Sequence, residues 1–402
     1  MTIVSPMSRL LRDAQTTSPE DVVAHLARGA RATGGRDLVL YLIDYEQQVL
    51  QPTPEYLASG EPILPASVDG TMAGRCFSTQ TLLEAAAVNA DTRGGLRLWV
   101  PVTERAERLG VLTMTVDDLD DAGRAQAEEL GMVAALLVLA ASAYCDRFHL
   151  QRRRTNMTVA AEMQWSLLPP LTFASGQVTV AGLLEPAYEV AGDCFDYALN
   201  ADRLSLAVFD AMGHGLASSV LSSLAVGAYR HARRRQVPLA ELFGTMEHEV
   251  AGLMDDGFVT AAVAELEVRT GLLSWVCAGH PPPVVLRSGK ALAEIEQDPT
   301  RPLGLALLSD QDIVQPASVA LEPGDRVLFY TDGVIESRSP DGEEFGLTRL
   351  LDLFVRESAS GLLANEVLRR VVRTCLDFQG GQLRDDATLL LLEWAPLLES
   401  GA

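Results

Sequence analysis

The sequence predicts a mixed α+β protein of two or three domains, with antiparallel sheets covered by helices in its C-terminal half. At 402 residues the chain is too long for one ordinary hydrophobic core. After about residue 171, short apolar strands alternate with helical segments, and "RTG" between two strands is typical of a hairpin. Hairpins among strands favour antiparallel sheets over a doubly wound parallel sheet.

The region before about residue 118 mixes helix and strand. "PEDVVAHLARGARAT" has helical spacing, and three apolar segments predict strands: "DLVLYLID", "LWVPVT" and "LGVLTMTV". The charged turn "ERAER" separates the last two.

Between residues 120 and 168 no proline interrupts the chain, which predicts one or two long helices joining the halves. Pro169 and Pro170 end this segment. Its apolar stretch "MVAALLVLAASAYC" has 14 residues, whereas a membrane span needs about 20. We therefore expect a buried or self-associating helix.

In the C-terminal region seven segments predict strands: "QVTVAGLLEPA", "RLSLAVFD", "VTAAVAELEV", "LLSWVCA", "PPVVLR", "RVLFYTD" and "ATLLLLEW". Three segments predict helices: "GLASSVLSSLAVGAYRHARRR", "PLAELFGTMEHEVAGLM" and "ANEVLRRVVRTCLDF".

Composition narrows the class of protein. A formal charge of −22 excludes the basic surface that a nucleic-acid binder needs. The five cysteines show no Cys-x-x-Cys spacing, which favours reduced thiols over disulfides or zinc. The N-terminal residues lack a signal-peptide core, so we expect a cytoplasmic protein without a membrane or nucleic-acid partner.

Four aspartates mark the ends of predicted strands. Asp210 and Asp332 close two strands, while Asp193 and Asp385 precede two others. In antiparallel pairing the end of one strand lies beside the start of its neighbour, so all four carboxylates are predicted on one rim. Taken singly, each aspartate is more often a turn or helix-cap residue.

Four carboxylates on one rim repel one another unless a cation neutralises them. An all-oxygen site without histidine or cysteine suits Mg²⁺ or Mn²⁺, and two such ions form the usual clamp for displacement at phosphorus.

Residues 155–396 resemble the metal-dependent Ser/Thr protein phosphatases of the PPM class, in the SpoIIE/RsbU-like branch. Seven blocks carry the resemblance in order: "AAEMQWSLLPP", "EVAGDCFDY", "FDAMGHGLASS", "FVTAAVAELEVRTGLLSWVCAGHPPPVVLR", "LEPGDRVLFYTDGVIES", "EEFG" and "RDDATLLLLEW". The resemblance implies an αββα sandwich over residues 169–396 with a site for two Mn²⁺ or Mg²⁺ ions.

By resemblance, Asp210 bridges both metals and positions the attacking water, and Ala211 contributes its backbone carbonyl. Asp193 resembles the ligand of one metal, while Asp332 and Asp385 resemble ligands of the other. Ala211 stands where the family often has glycine.

Three further residues in these motifs, His214, His280 and Cys194, are candidates for a catalytic role. A metal-activated water leaves little need for His214 as a base, so loop hydrogen bonding is favoured for it and for His280. Cys194 is expected to be a packed thiol and not a redox site.

Residues 18–145 resemble a GAF sensor domain, with "VDGTMAGRCFSTQ" and the three strands as carriers; a PAS domain is the alternative. No haem or cyclic-nucleotide signature is recognised, so the ligand is unassigned. Residues 121–168 form the predicted helical linker, overlapping the end of the GAF-like region. The run from Arg152 to Arg154 is expected on a solvated helix face.

The resemblance implies a phosphoserine/phosphothreonine protein phosphatase regulated by the GAF-like domain and homodimeric through it and the linker. Its implied substrate is a phosphorylated anti-anti-sigma protein with a STAS domain. Two alternatives stay open: a non-catalytic scaffold that binds a phosphoprotein, and a constitutively active phosphatase whose GAF-like domain only dimerises.

Overall fold

The computed structural model of the chain describes residues 6–54, 60–87, 95–189, 192–250, 252–253, 257–292, 300–305, 314–381 and 386–395. It contains two compact units, Met1–Thr155 and Asn156–Ala402. The predicted bounds of the GAF-like domain (18–145), the helical linker (121–168) and the phosphatase domain (169–396) are not tested by this division and stay predictions.

The N-terminal unit contains one antiparallel sheet of six strands in the order β3-β2-β1-β6-β5-β4. The strands are β1 (Arg36–Ile43), β2 (Val49–Thr53), β3 (Ala66–Ser67), β4 (Leu83–Ala86), β5 (Leu96–Glu104) and β6 (Glu107–Val116). Its helices are α1 (Pro6–Ala14), α2 (Val22–Ala32), α3 (Met72–Thr79), α4 (Asp121–Ser142) and α5 (Arg147–Gln151).

Helices cover both faces of this sheet. One face packs through Leu40 and Leu112 into a core shared with α1, α2 and α4. The other face packs through Val111 against Phe77 of α3. The predicted charged turn between β5 and β6 is a tight hairpin, in which Arg105 and Ala106 both adopt positive φ (45° and 76°).

The apolar stretch from residue 132 to 145 belongs largely to α4. Within the described ranges, this one 22-residue helix is long and apolar enough to cross a membrane, and 44% of its most apolar window is buried. Leu130, Ala134 and Val138 lie in the core of the N-terminal unit. The contacts of α4 are therefore those of a core helix, as expected for a buried segment.

The predicted long helices between residues 120 and 168 are three shorter ones. The α4 helix ends at Ser142, α5 spans five residues, and α6 begins only at Val159. The break lets Phe148 fold back into the core of the N-terminal unit, where it is almost fully buried. Burying a whole aromatic ring outweighs the few hydrogen bonds that a continuous helix would add.

The sequence predicted that the basic run at residues 152–154 lies on a solvated helix face, and the structure shows a different arrangement. The Arg152 guanidinium lies 4.5 Å above the Tyr45 ring, and its Nε donates to the Ile43 carbonyl at 3.0 Å. Arg154 pairs with Glu46 at 2.5 Å. These arginines therefore hold the end of the N-terminal unit against its own β1–β2 turn.

The C-terminal unit stacks two antiparallel sheets between two layers of helices. The first sheet has the order β15-β12-β11-β10-β9 and the second β14-β13-β16-β17-β8-β7. The strands are β7 (Thr172–Ala174), β8 (Val178–Glu185), β9 (Cys194–Asn200), β10 (Arg203–Ala211), β11 (Val259–Glu267), β12 (Leu272–Ala278), β13 (Val284–Arg287), β14 (Lys290–Ala291), β15 (Ala317–Ala320), β16 (Arg326–Tyr330) and β17 (Ala387–Trp394). The helices are α6 (Val159–Leu167), α7 (Leu216–Arg234), α8 (Leu242–Val250), α9 (Asp332–Ile335), α10 (Gly346–Ser358) and α11 (Ala364–Phe378).

Three cores hold these layers together. Phe195, Trp275 and Phe329 belong to the core between the two sheets. A second core joins the outer face of the first sheet to α7 and α8, and a third joins the second sheet to α10 and α11. The predicted antiparallel sheets covered by helices are confirmed.

The buried carboxyl of Asp44, in the β1–β2 turn, makes the stability of the N-terminal unit depend on pH. Its Oδ1 accepts hydrogen bonds from the backbone N–H groups of Gln48 and Val49, at 2.7 and 3.0 Å. Its Oδ2 has no hydrogen-bond partner and lies 3.7 Å from Nη1 of Arg154. Burial raises the pKa of Asp44 from 3.8 to about 6, against the opposing effect of the two hydrogen bonds.

Replacement of Asp44 by asparagine should raise the stability of the N-terminal unit at pH 7. Between 3.8 and about 6 the folded state binds more protons, so this group's contribution to the free energy of unfolding falls as pH rises. Urea unfolding at pH 5 and pH 7 measures the effect, with Glu128→Gln on the exposed face of α4 as the control. An unchanged pH dependence in Asp44→Asn would show that this carboxyl does not titrate in that window.

Candidate metal centre

The buried Asp193 side chain, immediately before β9, lies at the centre of the candidate site. Oγ1 of Thr331 donates a hydrogen bond to its Oδ2 at 2.7 Å. Desolvation raises the pKa of Asp193 well above its ordinary value, and the nearby carboxylates of Asp386 and Asp210 raise it further. Three acidic side chains from separate segments therefore converge here, as the strand-end pattern predicts for Asp193 and Asp210.

The end of β10 brings the backbone of Ala211 against the loop before β9. The Ala211 N–H donates to the Gly192 carbonyl at 3.3 Å. A Cβ on Gly192 would lie 2.9 Å from the Ala211 carbonyl oxygen, closer than side chains tolerate. Glycine at 192 therefore lets the predicted ligand carbonyl approach Asp193.

The loop after Ala211 leads into α7. Gly213 and Gly215 have φ of 88° and 79°, values that strain any other residue. Ser222 of α7 donates a hydrogen bond to the Gly192 carbonyl, which fixes this helix to the same loop. His214 is exposed on the loop, so no buried geometry marks it as a base.

Asp386, which sequence reasoning passed over in favour of Asp385, holds the loop before β9 in place. Its Oδ2 accepts hydrogen bonds from the Gly192 and Asp193 N–H groups, at 2.7 and 3.1 Å. Asp385 itself lies outside the described residues. The signal in the sequence was the acidic pair before a strand, of which either member can face the rim.

Asp332 begins the short helix α9 and is exposed, because β16 ends at Tyr330 and not at the aspartate. Its chain neighbour Thr331 anchors it to the site: the Thr388 N–H donates to Thr331 Oγ1 at 3.0 Å. Among the residues that the structure describes, no three His, Cys, Asp or Glu side chains are arranged so that they could hold a metal ion.

The described oxygen atoms fit a hard divalent cation. Asp193 is buried, and the half-buried carboxylates of Asp210 and Asp386 raise its pKa, an effect that a cation would oppose. Carboxylate and carbonyl oxygens suit Mg²⁺ or Mn²⁺.

The α6 helix reaches the same loop through Gln164, a contact that sequence reasoning missed. Gln164 is almost fully buried, and its Nε2 donates to the Asp193 carbonyl at 2.5 Å. Trp165 Nε1 donates to the Ala187 carbonyl at 2.8 Å. In the sequence these residues are simply part of an amphipathic helix, so no local signal marks them.

His280 and Cys194 have the structural roles that were expected. The Nδ1 atom of His280 lies 2.8 Å from Thr260 Oγ1, and burial lowers the pKa of this imidazole to about 4. Desolvation raises the pKa of the Cys194 thiol to about 12, which makes it unreactive.

Comparison with known proteins shows that this chain is similar to phosphatases. Residues 200–395 match the family Stage II sporulation protein E (SpoIIE). Phosphoserine phosphatase RsbU of Bacillus subtilis is 23% identical over 246 residues, covering 60% of this chain and 71% of RsbU. Phosphoserine phosphatase RsbP of the same organism is 22% identical over 198 residues, covering 48% of this chain and 47% of RsbP.

Solved structures also align with this chain. The SiaA-PP2C domain of Pseudomonas aeruginosa has a TM-score of 0.48 and 23% identity, covering 58% of this chain and 94% of that domain. The RsbU and RsbW domains of Rv1364c from Mycobacterium tuberculosis have a TM-score of 0.47 and 24% identity, covering 55% of this chain and 62% of that one.

Residues 200–395 thus match a SpoIIE-type phosphatase domain, and the chain has RsbU among its homologues. The chain is therefore a protein serine/threonine phosphatase. Phosphatases of this family are metal-dependent, in keeping with the oxygen atoms gathered around Asp193.

Replacement of Thr331 by valine should weaken Mn²⁺ binding by about tenfold, because it removes the hydroxyl that hydrogen-bonds Asp193. Losing the acceptor of the Thr388 N–H should also lower the free energy of unfolding by about 1–3 kcal/mol. Calorimetric titration and urea unfolding measure the two effects, with Thr331→Ser as the control that keeps the hydroxyl. Wild-type Mn²⁺ affinity in the valine variant would contradict this role.

Proposed function

We propose that this phosphatase uses two Mn²⁺ or Mg²⁺ ions to hydrolyse phosphoserine or phosphothreonine in a protein. The proposed ligands are the carboxylates of Asp193, Asp210, Asp332 and Asp385 and the backbone carbonyl of Ala211. The observation that carries the proposal is the convergence of Asp193, Asp210 and Asp386 where the two sheets meet.

In this proposal the ions, when bound, supply a water of lowered pKa and neutralise charge on the phosphoryl group. Asp210, as the bridging carboxylate, orients that water. Thr331 and Asp386 hold the Asp193 loop in place, and the glycines at 213 and 215 shape the loop after Ala211. Burial lowers the pKa of His280 to about 4, which makes this imidazole a weak base, and no step in the proposal uses it.

A protein substrate is favoured by apolar side chains that remain exposed beside the site. Met212, Leu216 and Val220 are each 44–52% exposed, on the loop after Ala211 and the first turns of α7. Such side chains suit a folded partner better than a small phosphate ester. The relatives named phosphoserine phosphatase support a phosphoserine substrate. The partner in this proposal is a phosphorylated STAS-domain anti-anti-sigma protein.

We further propose that the N-terminal unit is a GAF-like sensor that regulates the phosphatase as a cytoplasmic homodimer. Met132, Leu136 and Leu139 of α4 are exposed at helical spacing and form an apolar stripe suited to self-association. Activity of a 156–402 fragment, compared with the full chain, separates regulation from simple dimerisation: equal rates would support a constitutive enzyme.

Replacement of Asp210 by asparagine should lower Mn²⁺-dependent hydrolysis of p-nitrophenyl phosphate by about a hundredfold or more, because it removes the bridging charge. Steady-state rates with Mn²⁺ and with chelator measure the loss. Asp202→Asn, at the exposed start of the same hairpin, is the matched control. Unchanged turnover in Asp210→Asn would overturn the two-metal proposal.

Replacement of Leu216 by glutamate should reduce kcat/KM for a phosphorylated STAS protein by about tenfold, because it places a charge in the proposed docking patch. Hydrolysis of p-nitrophenyl phosphate should change by less than about twofold, since that ester does not reach the patch. Leu272→Glu, at the opposite end of the first sheet, is the control. An equal loss of kcat/KM on both substrates would instead indicate that the substitution distorts the loop after Ala211.

A further inference from the structure

His280 is a buried imidazole in the loop that follows β12. Its side chain is 7% exposed, and Nδ1 lies 2.8 Å from Oγ1 of Thr260, the second residue of β11. Among the residues that the structure describes, none is a partner of hydrogen-bond geometry for the other, buried ring nitrogen, Nε2. Burial of a polar ring lowers the free energy of unfolding unless hydrogen bonds compensate for the lost contact with water.

Thr260 is the cross-strand neighbour of the proposed bridging ligand. In the ladder between β10 and β11, Asp210 pairs with Thr260 and Ala211 pairs with Val259. Residues directly opposite in an antiparallel pair lie on the same face, with Cβ atoms about 4.5–5.5 Å apart. The side chain that His280 contacts is therefore a direct cross-strand neighbour of Asp210 on that face of the sheet.

The backbone next to His280 is held by close contacts. Gly279 has a φ of 65° and donates its N–H to the Thr300 carbonyl at 2.8 Å. A Cβ on Gly279 would lie 2.6 Å from Cγ of Pro302, so the loop packs closely here. On the other side, the backbone of Tyr330 partly offsets the effect of burial on the pKa of His280.

His280 thus lies between two strand ends of the proposed centre. Thr260 belongs to the first sheet, beside Asp210, while Tyr330 ends β16 of the second sheet, two residues before Asp332. Because burial lowers its pKa to about 4, the ring is neutral at physiological pH, with one donor and one acceptor nitrogen. A ring of this kind can fix a hydroxyl but cannot supply a proton.

We propose that His280 is a positioning residue for the metal centre, which holds the Thr260 hydroxyl in one orientation beside Asp210. The inference rests on the proposed function, since it assigns Asp210 to the bridging position. Residues that orient a metal ligand contribute about ten- to a hundredfold in metal affinity. We expect the lower end of that range, because His280 acts through Thr260.

Two pairs of variants separate this role from a merely structural one. In His280→Asn the side-chain amide reaches the place of Nδ1 and keeps the bond to Thr260, whereas in His280→Gln it reaches the place of Nε2 and loses it. Thr260→Val removes the hydroxyl at nearly constant shape, and Thr260→Ser retains it. Calorimetric titration of the full chain with Mn²⁺ is the main readout, with urea unfolding alongside.

We expect His280→Gln and Thr260→Val each to weaken Mn²⁺ binding by about tenfold, and His280→Asn and Thr260→Ser by less than about twofold. The double variant His280→Gln/Thr260→Val should bind Mn²⁺ no more weakly than either single variant, because both break one contact.

Wild-type affinity in His280→Gln and Thr260→Val would overturn the inference while leaving the proposed function intact. Equal weakening in all four single variants, in step with lost stability, would also overturn it and show a packing role. A wild-type chain that binds no Mn²⁺ and hydrolyses no phosphate ester would instead refute the proposed function, and this inference with it.

Discussion

The crowding of Asp193 against the carboxylates of Asp210 and Asp386 is the constraint on which the rest of the C-terminal unit depends. Burial of Asp193 raises its pKa, and the half-buried carboxylates of Asp386 and Asp210 raise it further. The surrounding donors partly compensate: Thr331 hydrogen-bonds Asp193, and two backbone N–H groups hydrogen-bond Asp386. A bound cation would complete this compensation, which is the role that the proposed function gives to the edge of the stacked sheets.

Much of this frame could be predicted from the sequence, because antiparallel sheets convert a local pattern into a spatial one. Strands with clear apolar runs, such as β10 and β17, were predicted within one residue at their described ends. An aspartate after one strand and another before its neighbour must then meet on the same edge. That reasoning brought Asp193 and Asp210 together correctly, because it needed only the direction of each strand.

What the sequence could not show were contacts between residues far apart in the chain. Gln164 lies 29 residues from its partner Asp193, and Thr331 lies 138 residues from it. Neither residue belongs to an unusual local pattern. The prediction of a continuous helical linker was wrong for a related reason. Burial of Phe148 in the core of the N-terminal unit overrides the helical propensity of its own segment. The choice between Asp385 and Asp386 likewise depends on how one turn enters β17.

The two hydrogen bonds that Asp386 accepts have a consequence for how the domain opens. Gly192 and Asp193 lead into the first sheet, whereas Asp386 leads into β17 of the second. Exchange of these two amide hydrogens with solvent requires that their hydrogen bonds to Asp386, which link the entries to the two sheets, break. The loop before β9 and the start of β17 therefore form one cooperative unit, which opens as a whole.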